Sequence, residues 1–328
     1  MGARCGGTAV VSCGLDMKNR QEMANPLGYS QTTLRCPLCN SYRATDYSII
    51  GYGSQPSGGV ARFAVLRCRR HGVEFADALP AACSSETKVQ SLSQLYGDPG
   101  IPTARCVDFM DRLETLVGPA RGRVLHEVGC GLGHILIEAR RRGWVVQGND
   151  IVAGVKTIVE KNGIRCLIGS LSGLEIPRES CDVVTSFCVL PHHLTDPTSD
   201  MLASARILKS GGWLVLQFPD NGLYRRVVKL IYRTLGDSAK TRSLLANLYG
   251  PGGHQFAFER NNLTKYLSMC GFKEAICKAY SGAPQFTLAR FHEKPFWYRL
   301  LAATAVHTLK GASDLFKIPN HSIVFARK

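Results

Sequence analysis

The chain has 328 residues, 45% of them apolar, enough for a sizeable buried core and for one large domain with a small appendage or two ordinary domains. Forty lysines and arginines against 25 acidic residues leave a formal charge of +15, which favours anionic partners such as nucleic acid, an acidic membrane surface or a phosphorylated substrate without choosing among them. Thirteen scattered cysteines, several inside apolar runs as at Cys181 and Cys188, exclude a disulfide scaffold and fit a reducing cytoplasm, and no run approaches the ~20 apolar residues of a membrane span.

Residues 1–33 are Gly-rich and unpatterned, lack the apolar stretch of a signal peptide, and are expected to be a disordered leader. A turn-rich block follows over 34–85. It contains Cys36-Pro-Leu-Cys39 and Cys68-Arg-Arg-His71, two ligand pairs separated by 28 residues, so that a tetrahedral Cys₃His zinc site closes. A block of this size with few apolar side chains needs such a staple to be stable. Helix-compatible sequence over 86–96 and 105–117 forms a connector, 86–118, broken by Gly118-Pro119.

From residue 119 to the end the pattern becomes strand then helix, repeated. Apolar runs at 124–128, 144–148, 165–168, 182–187 and 213–218 are continuous instead of alternating, which marks strands buried on both faces. The expected fold is α/β, a doubly wound, mostly parallel Rossmann-like sheet behind a small N-terminal zinc-ribbon-like domain. Two stretches, around 221–255 and 279–319, read as lid or inserted segments. Within them 223–233 carries four positive charges on an apolar helical pattern, and 296–309 is similar but less charged. The ordinary expectation for both is a helix packed on the core with a solvated basic face. A membrane-surface contact or a cover for the substrate pocket is the alternative.

Glycines 129, 131 and 133 directly follow the first strand of this region and precede a helix, so the backbone can turn tightly and approach a ligand. The dinucleotide fingerprint would need a glycine at 134, where His134 stands. Glu127 can attract an ammonium or sulfonium and would repel a pyrophosphate. Asp150, about 20 residues on, ends the second strand where a carboxylate can accept both ribose hydroxyls.

Glu127-x-Gly129-x-Gly131-x-Gly133, the acidic strand end at Asp150, Cys181-Asp182-Val183-Val184 and Leu208-Lys209-Ser210-Gly211-Gly212 together resemble class I S-adenosylmethionine (SAM)-dependent methyltransferases over 121–219. The resemblance implies a seven-stranded sheet with an antiparallel last strand and SAM across the carboxyl ends of strands one and two. It places Glu127, Gly129, Cys130, Gly131 and Gly133 around the methionine part, Asp150 and Ile151 at the ribose, and Ser170 and Leu171 beside the adenine, with a serine at 170 where the family more often has an acid. The front block resembles the zinc-ribbon head of some small-molecule and sugar methyltransferases, with Cys68-x-x-His71-Gly72-x-x-Phe75 as its second half and His71 in place of a cysteine.

Methyl transfer needs alignment, exclusion of water and, for a protonated nucleophile, a base. Leu190-Pro-His192-His193-Leu-Thr-Asp-Pro197 resembles the E-H-L-x-D-P stretch of methyltransferases acting on quinone precursors, with His193 on the family histidine and His192 on its glutamate. In some of those enzymes the glutamate helps bind a divalent metal; with His192 and Val189 here a magnesium site is not expected, and a histidine base is the simpler reading. His254, after the glycine stretch 250–253, is a further candidate on a segment able to close as a lid.

These readings favour an enzyme that methylates oxygen, carbon or nitrogen of a small metabolite such as a sugar, a quinone-like ring or a lipid-linked intermediate. An RNA or protein acceptor would suit the charge and the zinc block, although no aromatic-interleaved basic patch of the kind that stacks bases is present. A reading of another class is a zinc-dependent binding module on an inactive scaffold of the same kind. The sequence is silent on oligomeric state.

Overall fold

The computed structural model describes residues 35–41, 43–53, 63–77, 85–98, 101–193, 197–220, 222–246, 248–249, 254–280, 295–315 and 321–328. The expected leader, the 250–253 glycine stretch and much of 279–319 lie outside them. The strand-helix alternation becomes β4 (Val124–Val128), α3 (His134–Arg141), β5 (Val145–Asp150), α4 (Val155–Lys161), β6 (Arg165–Ile168), β7 (Cys181–Phe187), α5 (Thr198–Ile207) and β8 (Leu208–Pro219). Two further helices, α6 (Gly222–Leu235) and α7 (Ala239–Ala246), precede the short β9 (Phe256–Ala257) and α8 (Arg260–Met269). The chain then runs through β10 (Lys273–Tyr280), α9 (Phe296–Leu315) and β11 (His321–Arg327).

Seven strands form one sheet in the order β10-β11-β8-β7-β4-β5-β6. Its five central and edge strands from β8 to β6 are parallel, and β11 runs antiparallel to both β8 and β10. The continuous apolar runs have a direct cause. Successive residues of β7, β8 and β11 point to opposite faces, and each face has its own cover: Val184, Leu214, Leu216 and Val324 pack with α5 and α8, while Val183, Val215, Ile323 and Phe325 pack with the buried face of α2 (Ala104–Val117). Both faces are covered, so most residues on each are apolar, and the buried polar ones, Glu127, Thr185 and Gln217 among them, are exceptions.

The front of the chain builds a second sheet from β1 (Tyr47–Gly53), β2 (Phe63–Cys68) and β3 (Glu74–Ala76), and β9 pairs with β3 as its fourth strand. A helix, α1 (Ser85–Tyr96), leads from there to α2. The interior of this block is continuous with one side of the large sheet: Cys36, Leu38, Cys68, Val73 and Phe75 share a core with Phe256, Phe258 and Tyr266. Phe75 and Phe256 meet at 6.0 Å between ring centroids.

The two basic segments differ. On α6, Arg225 and Val228 are buried, as expected of a packed helix, whereas Phe296, Trp297, Leu300 and Leu301 of α9 are exposed. Among the described residues no helix is long and apolar enough to cross a membrane.

Glu74 joins the small sheet to α6. Its carboxylate is fully buried and is met by Lys229 Nζ at 2.5 Å, the Tyr249 hydroxyl at 2.5 Å and Arg225 at 3.9 Å. Burial alone would raise its pKa, but the charges of Arg225 and Lys229 outweigh it and hold the carboxyl below the usual carboxylate range. Glu74→Gln should therefore cost up to about 3–5 kcal/mol in urea unfolding, because the half-buried Lys229 loses its carboxylate partner and the buried Arg225 is left with Glu259 as its ion-pair partner. Because the folded pKa lies below the unfolded one, the wild-type contribution is complete above the ordinary carboxylate range and is lost as pH falls through the folded value; the Glu74→Gln stability curve should lack that acid-side loss.

Candidate functional site

Between β4 and β7 the order of strands reverses, so their carboxyl ends splay apart into a crevice. The turn after β4 enters it. Gly129, Gly131 and Gly133 all take left-handed φ values, 67°, 50° and 77°. Main-chain and side-chain bonds pin this turn to the end of β5: Cys130 N–H donates to Asn149 O at 2.9 Å and Gly131 N–H to Asp150 Oδ2 at 2.9 Å. The other Asp150 oxygen accepts Val152 N–H at 2.8 Å.

The three glycines have different neighbours. A Cβ at Gly129 would lie 2.4 Å from Val189 Cγ2, and one at Gly133 would lie 3.1 Å from Val159, while one at Gly131 would meet nothing within 4 Å. Gly129 is thus required by packing, Gly133 is closely packed, and Gly131 borders open space. Ile151 and Ser170 are exposed nearby. The Leu171 side chain is fully buried in the core, so any ligand contact from that residue runs through its main chain.

Glu127, at 3% exposure, has a carboxylate oxygen, Oε2, with no hydrogen-bond partner. Burial raises its pKa well above the ordinary value, and the neighbouring Asp150 charge adds to the effect. It belongs to a row. Glu127 pairs in register with Thr185 of β7, and Gln217 of β8 and His321 of β11 continue the same face of the sheet. Thr185 Oγ1, both amide atoms of Gln217 and His321 Nδ1 are likewise buried and unpartnered. Buried polar groups are normally satisfied, so this run of unpartnered ones on one face of the sheet departs from the usual pattern.

The segment after β7 separates the two histidines that adjoin in sequence. Cys188 has a left-handed φ of 60° and its N–H donates to Gln217 O at 2.8 Å. His192 turns to Cys188 and to His254, with the two imidazole rings 4.8 Å apart. His193, which the sequence favours as the base, instead sets Nε2 3.9 Å from the buried carboxylate of Asp200 on α5. The meeting of 192 with 254 depends on a bond from Gln255 N–H to Pro191 O at 2.7 Å.

In the front block all four expected ligands converge. Cys36 Sγ lies 3.6 Å and Cys68 Sγ 3.7 Å from His71 Nδ1, and Cys39 Sγ lies 3.8 Å from Cys68 Sγ. Bonds of about 2.3 Å to sulfur and about 2.0–2.1 Å to nitrogen in a tetrahedron set sulfurs about 3.8 Å apart and sulfur from nitrogen about 3.5 Å. The four side chains already have those spacings.

Residues 126–216 match the family model described as a methyltransferase domain, and that span contains the glycine turn, Asp150 and β4 to β8 in the strand order given above. These residues form a methyltransferase domain. Over 106 residues the chain is 29% identical to the ubiquinone biosynthesis O-methyltransferase of Paracidovorax citrulli, covering 30% of this chain and 44% of that protein. Over 104 residues it is 31% identical to the protein of the same name from Albidiferax ferrireducens, covering 29% and 41%. The chain thus spans less than half the length of these two relatives. A SAM-dependent methyltransferase structure from Archaeoglobus fulgidus aligns with a TM-score of 0.47 at 14% identity, over 74% of this chain and 99% of that one.

Sequence reasoning about the methyltransferase domain passed over Cys188, Thr185, Gln217 and His321. Cys188 sits in an apolar run and resembles a core cysteine; its C-x₃-H spacing to His192 was the available signal. Thr185 and Gln217 look like strand interior. The two glycines with opposite surroundings provide a test of the turn. Gly129→Ala should unfold at clearly lower denaturant, because its methyl is driven into Val189. Gly131→Ala should lose only about 1–2 kcal/mol for the left-handed backbone, yet weaken SAM binding in calorimetry by about tenfold or more, about 1.4 kcal/mol.

Proposed function

We propose that the chain transfers a methyl group from SAM to the oxygen of a small-molecule acceptor. The observation that carries this reading is the pairing of a bare, buried Glu127 oxygen with open space at Gly131, on a turn tied to Asp150. A carboxylate there suits the ammonium and sulfonium of SAM, and the glycine main chain lets the methionine part approach. Asp150 spends one lone pair of each oxygen on a main-chain N–H and keeps others for the ribose hydroxyls. Ser170 and the Leu171 main chain are assigned to the adenine.

Bound SAM supplies an electrophilic methyl; the protein's part is to align the acceptor, exclude water and take a proton from its hydroxyl. Cys188, His192 and His254 are the groups that converge beside the glycine turn, and we assign the loss of that proton to them. His193, turned to Asp200, is assigned to holding the 190–193 segment against α5. An oxygen acceptor on a quinol-like ring is favoured by the names of the curated relatives. Incubation of cell extract with the protein and deuteromethyl SAM should yield, by mass spectrometry, a small molecule heavier by one labelled methyl. His254→Ala should slow that transfer by about 10²-fold or more, and His193→Ala should lower stability more than turnover; the opposite ranking would return the base to His193.

Cys36, Cys39, Cys68 and His71 are proposed to hold a structural zinc. Four protein ligands, with Cys36 and Cys68 wholly buried, leave no open position for chemistry. Chelation, or Cys68→Ser, should lower the unfolding midpoint and expose Phe75 and Phe256, read as increased binding of a hydrophobic dye.

A further inference from the structure

A second group of metal-type ligands stands at the carboxyl end of β7. Cys188 Sγ lies 3.9 Å from His192 Nε2 and 3.9 Å from His254 Nε2, and the three ligand atoms all fall within 4.8 Å of one another. A tetrahedral zinc would set sulfur and nitrogen about 3.5 Å apart and the two nitrogens about 3.3 Å apart, so each sulfur–nitrogen side must contract by about 0.4 Å and the two imidazoles must draw together from within 4.8 Å.

We propose that Cys188, His192 and His254 bind one zinc-class divalent ion whose remaining position receives the acceptor's hydroxyl. The inference rests on the methyl-transfer reading above and specifies how the proton is lost. A thiolate with two imidazoles is a donor set for zinc or its soft neighbours; magnesium and calcium require oxygens. The contrast with the front block is informative. There four ligands enclose the centre, two of them wholly buried, whereas here three ligands stand half-buried to exposed, the arrangement of a site with an open position.

Its location fits that role. Val189, the residue after Cys188, packs against Gly129 of the cofactor turn. Cys188 keeps a left-handed backbone that costs a non-glycine residue about 1–2 kcal/mol, and it is held there by its bond to Gln217 O. Strain of this kind persists where the surrounding structure enforces it, commonly at functional sites. A divalent ion lowers the pKa of a hydroxyl bound to it. The acceptor's O–H proton then passes to solvent, the oxygen lone pair forms the new O–C bond, and the C–S bond breaks with its electron pair returning to sulfur, giving S-adenosylhomocysteine. Charge and atoms balance without any oxidant or reductant.

The test compares full-length wild type with Cys188→Ala and His192→Gln, the latter at an exposed position where folding is not at stake. Each protein is dialysed against excess zinc chloride, then against zinc-free buffer, and zinc per chain is counted by plasma mass spectrometry. Each variant should hold one zinc fewer than wild type, with a cooperative thermal unfolding transition retained and the SAM affinity within about twofold of wild type. Cobalt-loaded wild type should also show more sulfur-to-cobalt charge-transfer absorption than cobalt-loaded Cys188→Ala. Equal zinc in wild type and His192→Gln overturns the proposal. Failure of wild type to bind SAM while the zinc difference persists would overturn the methyl-transfer reading and leave the metal site standing.

Discussion

The attachment of the 129–133 turn to the end of β5 is the constraint on which the carboxyl edge of the large sheet depends. One carboxylate, Asp150, accepts the N–H of Gly131 from the turn and the N–H of Val152 from its own loop, and Asn149 O takes the N–H of Cys130. With these bonds made, Gly129 is held against Val189 and the segment after β7 is fixed at the same height. A side chain at Gly129 or a neutral residue at Asp150 would loosen both loops, because each is the other's wall.

That edge is held from outside by the small sheet. β9 belongs in sequence to the segment between α7 and α8, yet it completes the sheet of the front block, and Phe75, Phe256 and Phe258 pack into the same core as α8. The buried Glu74, with Lys229, Arg225 and Tyr249 around it, adds a charged tie between the front block and α6. In this arrangement the front block supports His254, since His254 directly precedes Gln255 and β9, and Gln255 bonds to Pro191.

Cysteine and histidine are used in two ways in one chain. Where ligands come as close pairs on two turns, Cys36 with Cys39 and Cys68 with His71, local geometry already brings each pair together, and the pairing of β1 with β2 and of β2 with β3 closes the four. Where Cys188, His192 and His254 meet, two residues come from one loop and the third from a segment over sixty positions away, and the centre forms only when β9 docks. The first kind suits a permanent staple. The second depends on the bond of Gln255 to Pro191 and the pairing of β9 with β3.

The parallel part of the sheet, the glycine turn and the Asp150 position were legible from residue order, because hydrophobic period, glycine spacing and the distance between a loop and the next strand are local properties of the chain; the reversed last strand came only from the family resemblance. The four-ligand set was legible for the same reason. Which of two adjacent histidines meets Cys188 and His254 was not: His192 and His193 are alike in sequence, and only the docking of α5, which offers Asp200, and of residues 254–255, which bond to Pro191, sends them to different partners. Nor could sequence single out Cys188, Thr185 or Gln217, since a buried polar residue in a strand looks like a tolerated exception until its neighbours across the sheet are known. Sequence by itself determined the scaffold and the glycine turn; tertiary structure decided the cluster of Cys188, His192 and His254, because it is assembled from side chains whose partners lie on other elements.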